Sequence, residues 1–335
     1  MAEVVQKGTI TIKRKYVYWI VQLLFVIALM GFLYSYLTNK NIFDGIEKFA
    51  TTPAEPRFVQ FIYGKFGGGE FDKPMAVTVA DERIYISDTN NKRVQIFDYQ
   101  GNPIKTFGKL GTKPGEFQFP YGLAGDSKGS IYVADLYNGT VSKFDKDGKF
   151  QGLFAENKPE EKIFEGPAGM AIRDDRLYVT DVKQHKVKIF DLNGKLVKEI
   201  GKPGREQGEF NAPNAVTVTG DGSIYVTDTG NQRIQVFDKD GKFVEIINGS
   251  QDGKGQSMFV NPRGLGVDDK GNVFIISNLT HTLFGFDKDN KKLFNIGGYG
   301  EGEKQFSLPN GLFLDDAGRI YVTDTMNQRV AVFQS

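Results

Sequence analysis

The sequence predicts an all-β fold, a six-bladed β-propeller, and two observations lead to it. The first is a segment that occurs six times and begins with a tyrosine or phenylalanine, usually followed by an aspartate three residues later. Successive copies start 47, 46, 47, 49 and 47 residues apart, at Tyr85, Tyr132, Tyr178, Tyr225, Phe274 and Tyr321. The second is strand-like alternation within each copy, as in residues 84–86 and 94–97. A period in the forties with such alternation is typical of propellers with one blade per repeat.

Each repeat supplies four short strands. In the fourth repeat we expect them at 214–219, 223–228, 232–238 and 243–248, joined by turns rich in Asp and Gly that suit tight hairpins. Every blade is entered through a phenylalanine three residues before a proline. These pairs are Phe71/Pro74, Phe117/Pro120, Phe164/Pro167, Phe210/Pro213, Phe259/Pro262 and Phe306/Pro309. We expect each ring to pack between neighbouring blades and each proline to fix the start of the inner strand.

The sixth repeat is one strand short. It ends with a third strand at residues 330–333, and no fourth strand follows. Residues 57–63 resemble the fourth strands of the first and fourth repeats, so we predict that they complete the last blade and close the ring. The predicted propeller domain is therefore residues 57–335.

The N-terminal segment predicts a membrane anchor. Residues 16–37 contain no charged side chain, and as a helix they would span roughly 33 Å, enough for the hydrocarbon core. Lys13, Arg14 and Lys15 directly precede the run, which predicts a cytoplasmic tail at 1–15 and an extracytoplasmic propeller. The expected location is the cell membrane, with a single pass through the bilayer. A cleaved signal peptide is the alternative.

Residues 38–56 form the predicted linker between anchor and propeller. Ile42, Phe43, Ile46 and Phe49 have helical spacing, so this segment either lies in the membrane interface or packs on the propeller. Residues 51–56 are predicted to be an extended spacer.

The charge balance argues against a nucleic-acid partner. The net charge is +1, and residues 1–37 carry four basic residues and one acidic residue, which leaves −2 for the remainder. Nucleic-acid binding requires a strong basic bias. The expected partners are the lipid bilayer, through residues 16–37, and a protein or peptide.

The string Ile-Tyr-Val-Thr-Asp-Thr-Gly-Asn-Gln-Arg-Ile-Gln-Val-Phe-Asp at 224–238 resembles the core of an NHL repeat, and residues 84–98 and 320–333 are similar to it. The resemblance extends over 57–335. It implies a six-bladed ring whose upper face carries the loops between strands two and three and the loops between blades. NHL propellers commonly bind proteins, peptides, RNA or small molecules on that face, and a fold by itself does not define the function.

A pair of opposite charges recurs at the loop between the second and third strands. Asp88, Asp181, Asp228 and Asp324 are each followed five residues later by a basic residue, namely Arg93, Lys186, Arg233 and Arg329. Charges that face each other across a two-strand loop would pair and stabilise it. A pair kept in four blades predicts a scaffold role and not catalysis.

The sequence offers no convincing catalytic constellation, metal site or cofactor site. NHL-type amidating lyases resemble this fold but use histidine ligands, and His185 and His281 fall on separate blades, too far apart for one zinc ion. Gluconolactonase-like propellers hold a metal at the axis with Glu, Asn and Asp. The axial residues expected here follow the entrance prolines and are Met75, Tyr121, Ala168, Asn214, Arg263 and Asn310, which include no carboxylate.

Five of these axial residues form the predicted ligand-binding site at the upper mouth of the ring: Met75, Tyr121, Asn214, Arg263 and Asn310. Mixed polar and aromatic side chains of this kind are typical of recognition surfaces. The alternative is that the axis is merely filled. Two irregular loops, 248–261 and 155–166, are further candidates for specificity.

Three Asn-x-Ser/Thr patterns match glycosylation acceptors, at Asn138, Asn248 and Asn278, although so short a pattern arises by chance. The resulting prediction is a membrane-anchored, extracytoplasmic binding or scaffold propeller that recognises a protein, peptide or small ligand on its upper face and catalyses nothing. The alternative function is that of a metal-dependent hydrolase or lactonase.

Overall fold

The computed structural model describes residues 55–65, 69–155, 163–250 and 252–335, together with five isolated helical positions at 19, 22, 23, 26 and 30. The chain divides into two units, Met1–Pro53 and Ala54–Ser335. The described residues include no helix that is long and apolar enough to cross a membrane. Apart from those five positions, the predicted tail and anchor lie outside the described residues. The linker as far as residue 54 and residues 156–162 of the 155–166 loop lie outside them as well.

The second unit consists of six antiparallel four-stranded sheets, each of which is one blade. The innermost strands are β2 (Pro74–Ala80), β6 (Pro120–Gly125), β10 (Pro167–Arg173), β14 (Pro213–Val218), β18 (Pro262–Val267) and β22 (Leu312–Leu314). The second strands are β3 (Arg83–Asp88), β7 (Ile131–Asp135), β11 (Arg176–Asp181), β15 (Ile224–Asp228), β19 (Val273–Ser277) and β23 (Arg319–Asp324). Each innermost strand contacts the innermost strands of the two adjacent blades, so the sheets form a ring.

The remaining strands lie farther from the axis. The third strands are β4 (Arg93–Asp98), β8 (Thr140–Phe144), β12 (Lys186–Asp191), β16 (Arg233–Phe237), β20 (Thr282–Phe286) and β24 (Arg329–Gln334). The outermost strands are β5 (Pro103–Phe107), β9 (Phe150–Phe154), β13 (Leu196–Ile200), β17 (Phe243–Ile247), β21 (Lys292–Gly297) and β1 (Arg57–Tyr63). Two 3-10 helices, Thr229–Asn231 and Thr325–Asn327, lie in loops between second and third strands.

The N-terminal strand closes the ring. β1 pairs antiparallel with β24 from Arg57 opposite Gln334 to Tyr63 opposite Arg329, with one irregularity near Val59. The sixth blade is therefore built from β22, β23, β24 and β1. This is the closing strand that the missing fourth strand of the last repeat predicted.

The entrance phenylalanines pack between blades, as the sequence predicted, and the structure adds a specific partner for each ring. All six are buried. Each ring lies 5.3–6.0 Å from the phenylalanine that ends, or nearly ends, the third strand of its own blade. The pairs are Phe71–Phe97, Phe117–Phe144, Phe164–Phe190, Phe210–Phe237, Phe259–Phe286 and Phe306–Phe333. Such a pair contributes about 0.5–1.5 kcal/mol beyond the burial of its area.

Three of the four predicted charge pairs form. Nε of Arg93, Arg233 and Arg329 donates to the carboxylates of Asp88, Asp228 and Asp324, at 2.6, 2.8 and 2.8 Å. These carboxylates are fully buried and also accept a backbone N–H from the segment that enters the same blade. The pairs therefore join the entrance segment to the two central strands of the blade, which is a scaffold role.

The fourth predicted pair, Asp181 with Lys186, is wrong. Lys186 Nζ instead lies 2.6 Å from Glu199 on the neighbouring strand β13. Asp181 accepts backbone N–H groups of Glu165 and Gly166. The difference follows from side-chain chemistry, since lysine has no donor at the Nε position that arginine uses in the other three blades.

Candidate functional site

One side chain from each blade meets at the axis, one position after each entrance proline. We call these six residues the axial layer: Met75, Tyr121, Ala168, Asn214, Arg263 and Asn310. Tyr121 crosses the axis, and its hydroxyl donates to Asn214 Oδ1 at 2.8 Å. The hydroxyl oxygen of Tyr121 also accepts from Arg263 Nη1 and Asn310 Nδ2, both at 3.1 Å. A tyrosine of blade 2 thus links blades 4, 5 and 6.

The axial layer closes the upper end of the axis. Five of its members are buried, and only Arg263 is partly exposed. Phe119, Leu136 and Val182 pack against Met75, Tyr121 and Ala168. The structure therefore brings the five predicted site residues together, with their polar groups largely engaged with one another.

A cavity of about 670 Å³ lies along the axis below this layer. It is lined by the inner strands of all six blades and extends to the turns of the lower face, including residues 268–270 and 315–318. We call this cavity the axial channel. Its surface is more polar than apolar, and the inner-strand residues Leu123, Val216 and Leu265 direct most of their side chains into the cores between blades. The axial channel thus lies below the predicted mouth residues and extends to the lower face.

Arg263 is the cation at the closed end of this channel. Its Nε is buried and has no hydrogen-bond acceptor among the described residues. No aspartate or glutamate in the described part of the chain forms an ion pair with it. A buried donor without an acceptor carries a free-energy cost to the fold.

The upper face carries large apolar side chains that sequence reasoning missed. Tyr137, Leu279 and Met326 occupy the same loop position in blades 2, 5 and 6, two residues after the second strand, and are 60%, 54% and 56% exposed. The equivalent residues of the other blades are Asn90, Lys183 and Gly230. The sequence signal that could have identified them is a large apolar residue at a repeat position where the other three blades have a polar or small one.

These side chains form two patches. In the blade 1–2 patch (Leu110, Phe119 and Tyr137), the rings of Phe119 and Tyr137 lie 4.6 Å apart. The ammonium groups of Lys73 and Lys92 lie 5.7 and 5.9 Å from the centre of the Phe119 ring. The same ring stacks on Tyr121 at 6.2 Å, so this patch continues into the axial layer.

The blade 5–6 patch consists of Leu279, Tyr299 and Met326. Tyr299 is 77% exposed, and its ring lies 5.4 Å from that of His281. Asn327 Nδ2 donates to the carbonyl of Gly300 at 2.8 Å, which holds the loops of Met326 and Tyr299 together. The two patches share one face of the ring and lie on different sectors of it.

The two histidines have structural roles. Nδ1 of His185 accepts the backbone N–H of Ala212, and Nδ1 of His281 accepts that of Leu308, both at 3.0 Å. Both residues have positive φ angles of 55° and occupy equivalent loop positions. In the described part of the chain, no group of three or more His, Cys, Asp or Glu side chains is arranged to hold a metal ion.

The three glycosylation-like asparagines also hold loops together. Asn138 Nδ2 donates to the carbonyls of Gly111 and Glu116. Asn248 and Asn278 are buried, and their amide nitrogens likewise donate to backbone carbonyls. These amides are engaged within the fold.

Comparison with known families identifies the repeats. A family model for the NHL repeat matches residues 210–237 and 306–333, and a second one, described as a 6-bladed beta-propeller, matches 69–154. The protein is thus a six-bladed β-propeller that contains NHL repeats. Its sequence is similar to the Protein brain tumor of Drosophila melanogaster, with 30% identity over 145 residues. That stretch is 42% of this chain and only 14% of the relative.

Solved structures share the fold at low sequence identity. Virginiamycin B lyase from Staphylococcus aureus aligns with a TM-score of 0.58 and 13% identity, over 84% of this chain and 100% of its own. A gluconolactonase from Xanthomonas campestris aligns with a TM-score of 0.57 and 15% identity, over 84% and 97% of the two chains. Such likeness is evidence for the propeller architecture alone.

Proposed function

We propose that this propeller is a binding module that recognises a protein or peptide segment on its upper face and catalyses no reaction. The observation that carries the proposal is the set of large apolar side chains exposed at loop positions of that face. Exposed apolar groups with a polar surround are typical of interaction sites. Tyrosine and other aromatic residues contribute strongly to such contacts because they bury a large area at a small entropic cost.

The two patches suggest the chemistry of the partner. A segment that reaches both patches needs two apolar anchors, one for the blade 1–2 patch and one for the blade 5–6 patch. Lys73 and Lys92 flank the first patch, so an acidic residue near that anchor fits best. The five predicted site residues of the axial layer stay a predicted contact, and we assign them to the floor of the site because four of them are buried.

Selective loss of capture tests this proposal. Immobilised full-length protein would be exposed to extracts of its own cells, and captured proteins would be quantified by mass spectrometry. The double variant Tyr137→Ser/Met326→Ser should capture at least tenfold less of the specific partner than the wild type. Each exposed anchor contributes on the order of 1 kcal/mol or more to binding. The matched control is Val244→Ser/Ile104→Ser, which removes side chains of similar exposure, 56% and 45%, from the outer strands.

Equal capture by the wild type and the Tyr137→Ser/Met326→Ser variant would contradict the proposal. Loss of capture in the control variant alone would assign binding to the outer strands. Melting temperatures of all variants should agree with that of the wild type, because the substituted side chains are exposed.

We further propose that residues 16–37 anchor the protein in the cell membrane, with residues 1–15 in the cytoplasm and the propeller outside. The supporting observations are the uncharged run and the three basic residues that precede it. Protease added to intact cells, or to spheroplasts if there is an outer membrane, should digest the propeller. Protection of residues 57–335 in intact cells and spheroplasts would contradict this orientation.

A further inference from the structure

His281 lies beside the blade 5–6 patch and accepts a backbone hydrogen bond that only a neutral imidazole can accept. Its Nδ1 accepts the N–H of Leu308 at 3.0 Å. His185 accepts the N–H of Ala212 at the same distance, so the arrangement occurs in two sectors of the ring. A protonated imidazole carries a hydrogen on both nitrogens and has no acceptor left. The conformation of this loop therefore requires neutral His281.

The hydrogen bond from Leu308 supports a backbone conformation that the local sequence disfavours. Leu308 has a φ angle of +46° and directly precedes Pro309. Residues with a Cβ atom seldom adopt positive φ, and a residue before proline favours an extended conformation. Lys73 and Asn261 have positive φ at the same point of blades 1 and 5 without a histidine. Loss of the hydrogen bond should therefore loosen the segment around Leu308 without unfolding the blade.

The entrance segment of blade 6, residues 306–308, connects this hydrogen bond to both loops of the patch. The carbonyl of residue 307 accepts the N–H of Met326 at 3.0 Å. The N–H of residue 306 donates to the carbonyl of Gly298 at 3.0 Å, and Gly298 directly precedes Tyr299. The carbonyl of His281 also accepts the N–H of Gly298 at 2.8 Å. The loops that carry Tyr299 and Met326 are thus attached to the segment that His281 holds.

No counter-ion in the described part of the chain compensates for a proton on His281. Tyr299 is the titratable group that contacts its ring. The entrance segments of blades 5 and 6, at 259–262 and 306–310, carry no charged residue. The charged side chains of the other neighbouring segments are those of Glu301, Glu303, Lys304, Asp324 and Arg329. Arg329 is paired with Asp324, and none of the described carboxylates forms an ion pair with His281.

We propose that His281 is a pH-sensitive switch that controls the blade 5–6 patch. At neutral pH its imidazole accepts from Leu308, and the two loops of the patch are held together. In mild acid the imidazole gains a proton, so that two donors face each other and the entrance segment loosens. The upper face should then bind its partner better at neutral pH than in mild acid, a consequence that rests on the proposed function.

Hydrogen exchange of the full-length protein, followed by mass spectrometry, tests the switch without a partner. Protection factors, which correct for the intrinsic effect of pH on exchange, would be compared at about pH 7.5 and about pH 5.5, on either side of the usual histidine pKa. Peptides that span 306–310 should lose at least about threefold of their protection in acid, the effect of one neutral hydrogen bond. Peptides that span 259–262 should show no such loss, because Gln232 stands at the position equivalent to His281 in the preceding blade.

The variant His281→Gln removes the titrating group and keeps a residue that the repeat accepts at this position. Gln232 and Gln328 occupy it in blades 4 and 6, with φ angles of 56° and 54° against 55° for His281. In this variant the protection of 306–310 should be the same at the two pH values.

His185→Gln is the matched control. His185 makes the same type of hydrogen bond, but the positions of Tyr299 and Met326 are occupied by Pro203 and Gly230 in its sector. This variant should leave the pH response of 306–310 unchanged.

Capture of the partner at the same two pH values tests the consequence for the upper face. The wild type should retain at least about threefold less of the specific partner in acid, whereas His281→Gln should retain similar amounts at both pH values. If the wild type captures no specific partner even at neutral pH, the proposed function fails, and the exchange measurement still decides whether the switch exists.

Equal protection of 306–310 at the two pH values in the wild type would overturn the switch, and so would a loss that persists in His281→Gln. The same pH dependence of capture in the wild type and in His281→Gln would overturn its control of the upper face. If His281→Gln does not fold, the comparison of 306–310 with 259–262 in the wild type still decides the question.

Discussion

At the scale of single residues, the aspartates at the ends of second strands show how burial changes the meaning of a sequence signal. The repeat indicates that Asp228 and Arg233 face each other, and they do. The repeat pattern does not indicate how deeply the carboxylate is buried or which other groups donate to it. Asp228 is fully buried and accepts from Asn211 N, Asn231, Arg233 and Gln235, so it belongs to a closed polar network. Networks of this kind are costly to interrupt.

We therefore expect Asp228→Ala to destabilise the propeller by about 3–5 kcal/mol, because it leaves the arginine and several N–H donors without their acceptor. Arg233→Ala should cost less, since other donors still surround the carboxylate. The double variant should cost less than the sum of the two single variants. Urea unfolding followed by circular dichroism measures all three. Asp240→Ala, on an exposed turn, is the control, and strict additivity would show that the pair does not interact.

The hydroxyl of Tyr121 distinguishes a packed axis from a site designed for a ligand. Tyr121→Phe removes one oxygen that serves three neighbours and leaves the ring in place. If the layer stabilises the fold, the free energy of unfolding should fall by about 1–3 kcal/mol, the cost of unsatisfied buried polar groups. Tyr137→Phe removes a hydroxyl from a largely exposed side chain and should have no effect. Equal stability of both variants would mean that the Tyr121 contacts contribute little to the fold.

At the scale of the elements, the sequence predicted most where one blade can be compared with the next. The closing strand was predictable because five repeats have four strands and the sixth has three. The hydrogen bonds across the axis were not predictable. Periodicity places Tyr121, Asn214 and Arg263 at one level of the ring, but it does not indicate which side chain crosses the axis. The Asp181–Lys186 pair failed for a related reason, because a flexible lysine had an alternative partner in Glu199 on β13. The exposed loop residues were missed because their signal is a departure from the repeat: three blades have a large apolar residue where the other three have a polar or small one.

Deletion of β1 tests the closure of the ring. A chain that begins at residue 64 lacks the strand paired with β24, and it exposes the third strand of blade six and the core beneath Ile62. A chain that begins at residue 53 retains it. We expect the shorter chain to aggregate or to melt at a clearly lower temperature, since an open edge also invites pairing with other chains. The same melting temperature for the two chains would show that β1 contributes nothing to closure.

The tyrosines that begin the second-strand motif predict an alkaline limit to stability. Burial raises the pKa of Tyr85 from 10.0 to about 12, and its hydroxyl donates to the carbonyl of Lys146 in the next blade. Burial also raises the pKa values of Tyr132 and Tyr321. Because the folded protein holds these protons more tightly than the unfolded chain, their contribution to stability is complete below pH 10.

That contribution should disappear as the pH rises from 10 to about 12. For Tyr85 alone, the loss should be about 2–3 kcal/mol. Urea unfolding at a series of pH values would measure it in the wild type and in Tyr85→Phe. The variant should be less stable near neutral pH, because it lacks the hydrogen bond, but it should lose less stability on alkalinisation. Parallel pH profiles for the two proteins would exclude Tyr85 as a contributor.

At the scale of the whole molecule, the two ends of the propeller differ in their chemistry. The upper face is closed at the axis and presents apolar patches around it, while the axial channel extends toward the lower face. The closed axial layer separates the two, because Tyr121 touches Phe119 above it and Arg263 lies at the end of the channel below. This asymmetry arises from one aromatic side chain in a ring of otherwise similar blades.

The same asymmetry bears on the alternative function, a metal-dependent hydrolase or lactonase. A hard divalent cation at the axis needs several oxygen ligands and negative charge. The axial layer offers two amides already bonded to Tyr121, and it places the positive charge of Arg263 where the cation would lie. We therefore expect full-length protein, dialysed against buffers containing calcium or zinc, to retain far less than one equivalent of either metal in elemental analysis. The metal content of the Arg263→Gln variant, which lacks the positive charge, would be compared with that of the wild-type protein. Stoichiometric metal in the wild-type protein that is lost on Asn214→Ala or Asn310→Ala would favour the enzyme over the binding module.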